Sequence, residues 1–127
     1  MSKQEESIIS DGIKTFLNSK RIFNRRNQAM STSYGLPDRE FLYKGISVGI
    51  EVKTLTGDAK KHQERKLKQY NDNGGIGVVV RSVEDVKYLV HLIDMFWETV
   101  GASGIIYWNS ATKYILEKFD EYQKNNV

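Results

Sequence analysis

The chain has 127 residues, 39% hydrophobic and 28% charged, with a formal net charge of +3. That length suits one domain with a modest core, and the composition excludes a disordered or fibrous chain. The lack of cysteine excludes disulfides and thiolate metal sites; no apolar run nears the roughly 18 residues that span a bilayer, and the opening MSKQEES is no secretion signal.

The first predicted element is a helix from Glu5 to Ser19, because Ile9, Ile13, Phe16 and Leu17 recur at helical spacing. Glu6 falls on the same inward stripe, near the end where carboxylates are favoured by the helix dipole. A short strand over Ile22–Asn27 follows, then a loop over MSTSYG. The only proline, Pro37, fixes its own φ and biases Leu36 toward an extended conformation, so it stiffens the entry to Asp38.

A hairpin is predicted next. Ile46, Val48, Ile50 and Val52 alternate with Ser47, Gly49, Glu51 and Lys53, which is the strongest strand signal in the chain. A two-residue turn at Lys44-Gly45 pairs Tyr43 with Ile46, Phe41 with Val48 and Asp38 with Glu51. Directly opposed residues share a face, with Cβ atoms about 4.5–5.5 Å apart. Glu51 and Lys53, two apart on one strand, share it too. Asp38, Glu51 and Lys53 are therefore expected to converge, provided that no bulge shifts the pairing by one.

Asp58 is the expected N-cap of a helix from Ala59 to about Asn71. Its inward stripe is thin, with Gln63, Leu67 and Tyr70 at helical spacing, so Gln63 points at the sheet. Ile76–Val80 reads as a strand buried on both faces, which completes a right-handed βαβ crossover. Ser82 and Asp85 form a capping-box pattern before a helix that buries Val83, Val86, Val90 and Ile93. A small-residue linker over Val100–Gly104, a short strand over Ile105–Trp108 and a last helix over Ser110–Lys124 complete the chain. Ala111, Ile115, Phe119 and Tyr122 share one face of that helix, as a docked cap or a subunit interface. His91, within an apolar helix, is expected to be structural, and His62 to face solvent or nucleic acid.

Two carboxylates beside an ammonium suit a hard divalent cation, since magnesium takes one or two carboxylates plus water and substrate phosphate. Asp38, Glu51 and the backbone carbonyl of Val52 are the candidate ligands. Lys53 would orient the attacking water or neutralise charge on the phosphoryl group. Gln63 would hold Lys53 or the water, and Glu6 would add a contact to metal-bound water. Basic clusters, including Arg25 and Arg26 and then Lys60, Lys61, Arg65 and Lys66, are candidate phosphate contacts.

Gly35-Leu36-Pro37-Asp38, Gly49-Ile50-Glu51-Val52-Lys53-Thr54, Gln63 in the next helix, and the run from Gly74 through Asp85 together resemble the VRR-NUC family of the PD-(D/E)xK nucleases, the virus-type replication-repair nucleases. The resemblance covers roughly Glu5 to Ile93. It implies an α/β fold with an α-β-β-β-α-β restriction-endonuclease-like core and a mixed sheet flanked by helices; the segment after Met95 lies outside the resemblance and is read as an extra C-terminal helical segment. Residues 1–95 would form the nuclease core and 96–127 a C-terminal extension of the same domain, a candidate dimerisation element. By the same resemblance, Asp38 and Glu51 bind Mg2+ or Mn2+, Lys53 is the catalytic lysine and Gln63 is accessory. Stand-alone members of this size resemble phage enzymes of DNA repair and recombination that act as homodimers on branched DNA, including Holliday junctions. The expected activity is a Mg2+- or Mn2+-dependent endodeoxyribonuclease, cytoplasmic in a bacterial host and not membrane-bound. A flap, nicking or restriction-type nuclease and a non-catalytic nucleic-acid-binding module are the alternatives.

Overall fold

The computed structural model describes residues 3–27, 35–100 and 108–126. The elements run α1 (Lys3–Ser19), β1 (Phe23–Arg26), β2 (Arg39–Tyr43), β3 (Ile46–Val52), α2 (Lys61–Asp72), β4 (Ile76–Val80), α3 (Val83–Val100) and α4 (Trp108–Asn125). The strands form one sheet in the order β1-β2-β3-β4. The first two pairings are antiparallel and β3 with β4 is parallel. This is the expected mixed sheet with its α-β-β-β-α-β order. Most of the loop expected over residues 30–35, the linker over 100–104 and the short strand over 105–108 lie outside the described residues, except that Val100 ends α3 and Trp108 opens α4.

The hairpin closes at Lys44-Gly45, with φ of 48° and 82°. Two positive values at the central positions suit a two-residue turn whose twist matches the flanking strands. Lys44 tolerates this unfavourable region while its ammonium lies 2.8 Å from Asp94. The register runs as expected, from Tyr43 opposite Ile46 to Arg39 opposite Ile50.

One face of the sheet buries Phe41, Ile46, Val48, Ile50, Val52, Ile76, Val78 and Val80 against Ile13 and Leu17 of α1 and the apolar stripe of α3. That α3 stripe is wider than expected, because Leu89 and Leu92 are buried along with Val86, Val90 and Ile93. Ile115 and Phe119 of α4 join the same core, so the apolar face of this helix docks within the chain. His91 is exposed on α3 beside the Tyr88 ring, and so is not the structural histidine expected.

The opposite face carries α2. Gly49 and Gly77 lie side by side in the β3–β4 register and let this helix approach closely. A Cβ at Gly77 would stand 2.2 Å from the Leu67 carbonyl oxygen, and one at Gly49 would stand 2.9 Å from the Tyr70 ring. The helix begins at Lys61 with Lys60 as its N-cap, two residues later than Asp58 would place it. Gln63 explains the shift: its Oε1 accepts the Lys60 N–H at 2.9 Å, which satisfies an end donor that a capping side chain would otherwise serve. The outer edge of β4 is covered by amides. Asn71 both donates to and accepts from the Gly77 backbone, and Gln123 of α4 donates to the Val79 carbonyl. Such cover keeps a strand edge from pairing with another chain. No helix among the described residues is long and apolar enough to cross a membrane.

Candidate metal and nucleic-acid site

A cleft of about 330 Å³ opens where β2 begins and β3 ends, lined by Glu6, Ser7, Ser10, Arg26, Asp38, Glu51, Val52, Lys53 and Gln63. Asp38 and Glu51 occupy the next opposed position beyond the last paired residues, Arg39 and Ile50. Asn27 fixes the approach to this point. Its backbone N–H donates to the Asp38 carbonyl at 2.9 Å and its side-chain amide to the Pro37 carbonyl at 2.8 Å.

Continuing the register by one more position would place residue 37 opposite Val52, where the backbone groups face each other in a hydrogen-bonding pair. Proline breaks that exchange because it has no N–H to offer the Val52 carbonyl. The Val52 N–H instead donates to Asp38 Oδ2 at 2.9 Å. Pro37 and Asp38 thus act together: one leaves the Val52 carbonyl without a ladder donor, and the other takes the Val52 N–H and is oriented by it.

Glu51 is only 2% exposed. Its Oε2 accepts from Gln63 Nε2 at 3.1 Å and lies 3.8 Å from Lys53 Nζ. The orientation of the Gln63 amide follows from the helix end. Its oxygen is occupied by the Lys60 N–H, so its NH₂ group faces the carboxylate. As a carboxylate, Glu51 has its Oε1 buried with no hydrogen-bond partner among the described residues, whereas its protonated form can donate to Asp38. Burial, then Asp38 by hydrogen bonding and charge, push the Glu51 carboxyl up to about 8, while Lys53 pulls the other way. A buried carboxylate with an orphaned oxygen fits a bound cation, which would restore both its charge and its missing contact. Among the described residues no three His, Asp or Glu side chains stand close enough together to hold a metal ion by themselves. The donors here are two carboxylates and a carbonyl, a set that suits magnesium or manganese better than a metal needing a full protein cage. Glu6 lines the cleft from α1, and its charge adds to the upward push on Glu51.

The two arginines of β1 part company. Arg26 lines the cleft, whereas Arg25 is on the other face, 2.7 Å from Glu40, which also accepts from the Tyr70 hydroxyl. Lys60, Lys61 and Arg65 are exposed around the first turns of α2, whose N-terminal end carries Gln63 into the cleft, and Lys66 is half-buried. Ser7 and Ser10 are additional cleft residues. Ser10 is one helical turn beyond Glu6, so the inward stripe of α1 held the signal for it. Arg39 is the other addition. It is 4% exposed on the core face, donates to Asn24 Oδ1 at 2.8 Å, and has its Nε buried without a partner among the described residues. Burial, with Arg26 adding to it, lowers the Arg39 pKa, while Asp11 and Asp38 oppose that shift.

No family model matches the chain, and no curated protein does. Among solved structures, the chain superposes on one described as "VRR_NUC domain" with a TM-score of 0.56 at 22% sequence identity. The match covers 68% of this chain and 95% of that one. The fold is that of a VRR_NUC domain. The mixed sheet and its flanking helices match that fold, and the chain carries the C-terminal helix α4.

Proposed function

We propose that this chain is a divalent-metal-dependent nuclease of the PD-(D/E)xK type that hydrolyses phosphodiester bonds in DNA and resolves four-way junctions as a homodimer. The observation that carries the reading is Glu51: a buried carboxylate with one unpartnered oxygen, beside Asp38 and within 3.8 Å of the Lys53 ammonium. The VRR_NUC fold supports the nuclease class. Asp38, Glu51 and the Val52 carbonyl would hold Mg2+ or Mn2+, which supplies Lewis-acid polarisation of the scissile phosphate and acidifies water.

The protein's own groups do the rest. Gln63 holds the Glu51 carboxylate in place and is itself anchored by the end of α2. Lys53 lies close enough to the same carboxylate to orient a water for in-line attack, and its charge offsets that which builds on the phosphoryl oxygens. Arg26 and the exposed cations around the start of α2 provide the positive surface along which a phosphate backbone would run.

The test uses labelled four-way junctions, flaps, nicked duplex and linear duplex, each with and without Mg2+ or Mn2+. Metal-dependent cutting strongest on the junction is expected. Asp38→Ala and Lys53→Ala should each reduce the rate by at least about 10²-fold while DNA binding persists. Equal cutting of linear duplex would remove the junction preference, and cleavage that survives both substitutions would remove the site assignment.

A further inference from the structure

Lys53 is followed by a tight turn with an exposed apolar side chain at its tip. Gly57 N–H donates to the Thr54 carbonyl at 3.3 Å, leaving Leu55 and Thr56 at the tip. Turn tips favour Gly, Pro, Asn, Asp and Ser, for reasons of φ or of side-chain hydrogen bonding. Leu55 offers neither, and it is 77% exposed, the highest value among the large hydrophobic side chains described.

The turn is also held from behind. Arg81, at the end of β4, donates through one guanidinium nitrogen to the Thr54 carbonyl at 2.5 Å and to the Gly57 carbonyl at 2.6 Å. Arg81 is itself fixed, because its backbone N–H donates to Asp85 Oδ2, which also accepts from Gln123 of α4. Thr54 is buried, and a Cβ at Gly57 would stand 3.8 Å from Lys53 Cβ, so the turn packs directly on the strand end that carries the lysine. The fold therefore anchors the base of this turn at both ends and leaves one apolar side chain projecting at its tip.

We infer that Leu55 is a wedge that enters the base stack of bound DNA beside the phosphate that is cut, and that Arg81 is the positioning residue that holds the wedge. This rests on the nuclease reading above and supplies a specificity determinant for it. A rigidly held leucine inserted between base steps unstacks them at a cost in stacking energy. The cost is least where stacking is already broken, so the wedge favours a branch point over continuous duplex. The basic side chains of the nearby α2 start supply the backbone attraction that brings the DNA within reach.

The readout is base unstacking, which a purely structural role would leave unchanged. A four-way junction carries 2-aminopurine beside the mapped cleavage position, and Lys53→Ala protein with magnesium holds it uncut. With Leu55 present, fluorescence should rise several-fold on binding. Adding Leu55→Ser should abolish the rise while binding persists, Leu55→Phe should restore it, and Arg81→Met should reduce it although Leu55 is retained. In otherwise wild-type protein, Leu55→Ser should slow junction cutting about tenfold, which is about 1.4 kcal/mol of barrier. The melting temperature should not move, because the side chain has little packing to lose. Wild-type protein that cuts no DNA structure with metal would overturn the nuclease reading itself. Wild-type cutting with the same rate and fluorescence in Leu55→Ser would overturn the wedge alone.

Discussion

The Glu51 carboxyl is 2% exposed, with Asp38 beside it and Lys53 Nζ 3.8 Å away. In metal-free protein its folded pKa, about 8, stands above the ordinary carboxyl value of 4.5. Between those values the folded state holds a proton that the unfolded state has released. Stability from this group is therefore fully present below about pH 4.5 and is lost as pH rises through about 8. A drop in melting temperature of roughly 5–10 °C is expected between about pH 5 and about pH 8.5 in chelator. Magnesium should offset that drop, because a ligand that binds only the native state stabilises it. Glu51→Gln keeps the amide-sized group neutral at every pH, so its melting curve should be flatter with pH and indifferent to magnesium. Scanning calorimetry decides the point: the same pH slope and the same magnesium shift in both proteins would place the cation elsewhere.

Among the elements, the seating of α2 on β3 and β4 sets the position of Gln63. Gly77→Ala would bring a methyl group to 2.2 Å from the Leu67 carbonyl oxygen, a backbone atom that cannot move without the helix. The substitution should destabilise by about 1–3 kcal/mol. By lifting α2 it should also separate Gln63 from Glu51, so cutting should fall at temperatures where the fold is intact. Denaturant melts alongside rates at low temperature would show both, and a fold loss with no rate loss would mean that Gln63 does not depend on this contact. Much of this arrangement was legible in the sequence. Strict alternation in β3 and a two-residue turn fixed the hairpin register, and helical phase turned Gln63 toward the sheet. The same register put Arg39 on the face of Phe41, two residues away, yet a charged side chain there is easily passed over. Residue type alone favours Asp58 as the N-cap of α2, whereas Gln63 serves the Lys60 N–H from inside the helix and moves the cap to Lys60. The Arg81 clamp was not legible, because it joins segments 24 and 27 residues apart through backbone carbonyls that carry no side-chain signal.

At the scale of the whole molecule, the described residues of one chain form one cleft of this kind, whereas resolving a four-way junction takes two symmetric cuts. A two-fold pair of chains supplies both. The apolar face of α4 is an unsuitable surface for that pair, since Ala111, Ile115 and Phe119 are already buried within the chain. The outer edge of β4 is unsuitable as well, because Asn71 and Gln123 occupy its backbone groups. The proposed homodimer must therefore join through other surfaces, and removing the α4 stripe should unfold the protein before it separates the subunits. Light scattering should give the mass of two chains at micromolar concentration. On a supercoiled plasmid with an extruded cruciform, a dimer makes both cuts within one bound lifetime, so linear product should appear without a build-up of nicked circle. The first cut relaxes the plasmid and reabsorbs the cruciform, so a single cleft working alone would stop at the nicked form. Nicked circle that accumulates and persists, together with a one-chain mass, would establish a monomeric nicking enzyme in place of a resolving dimer.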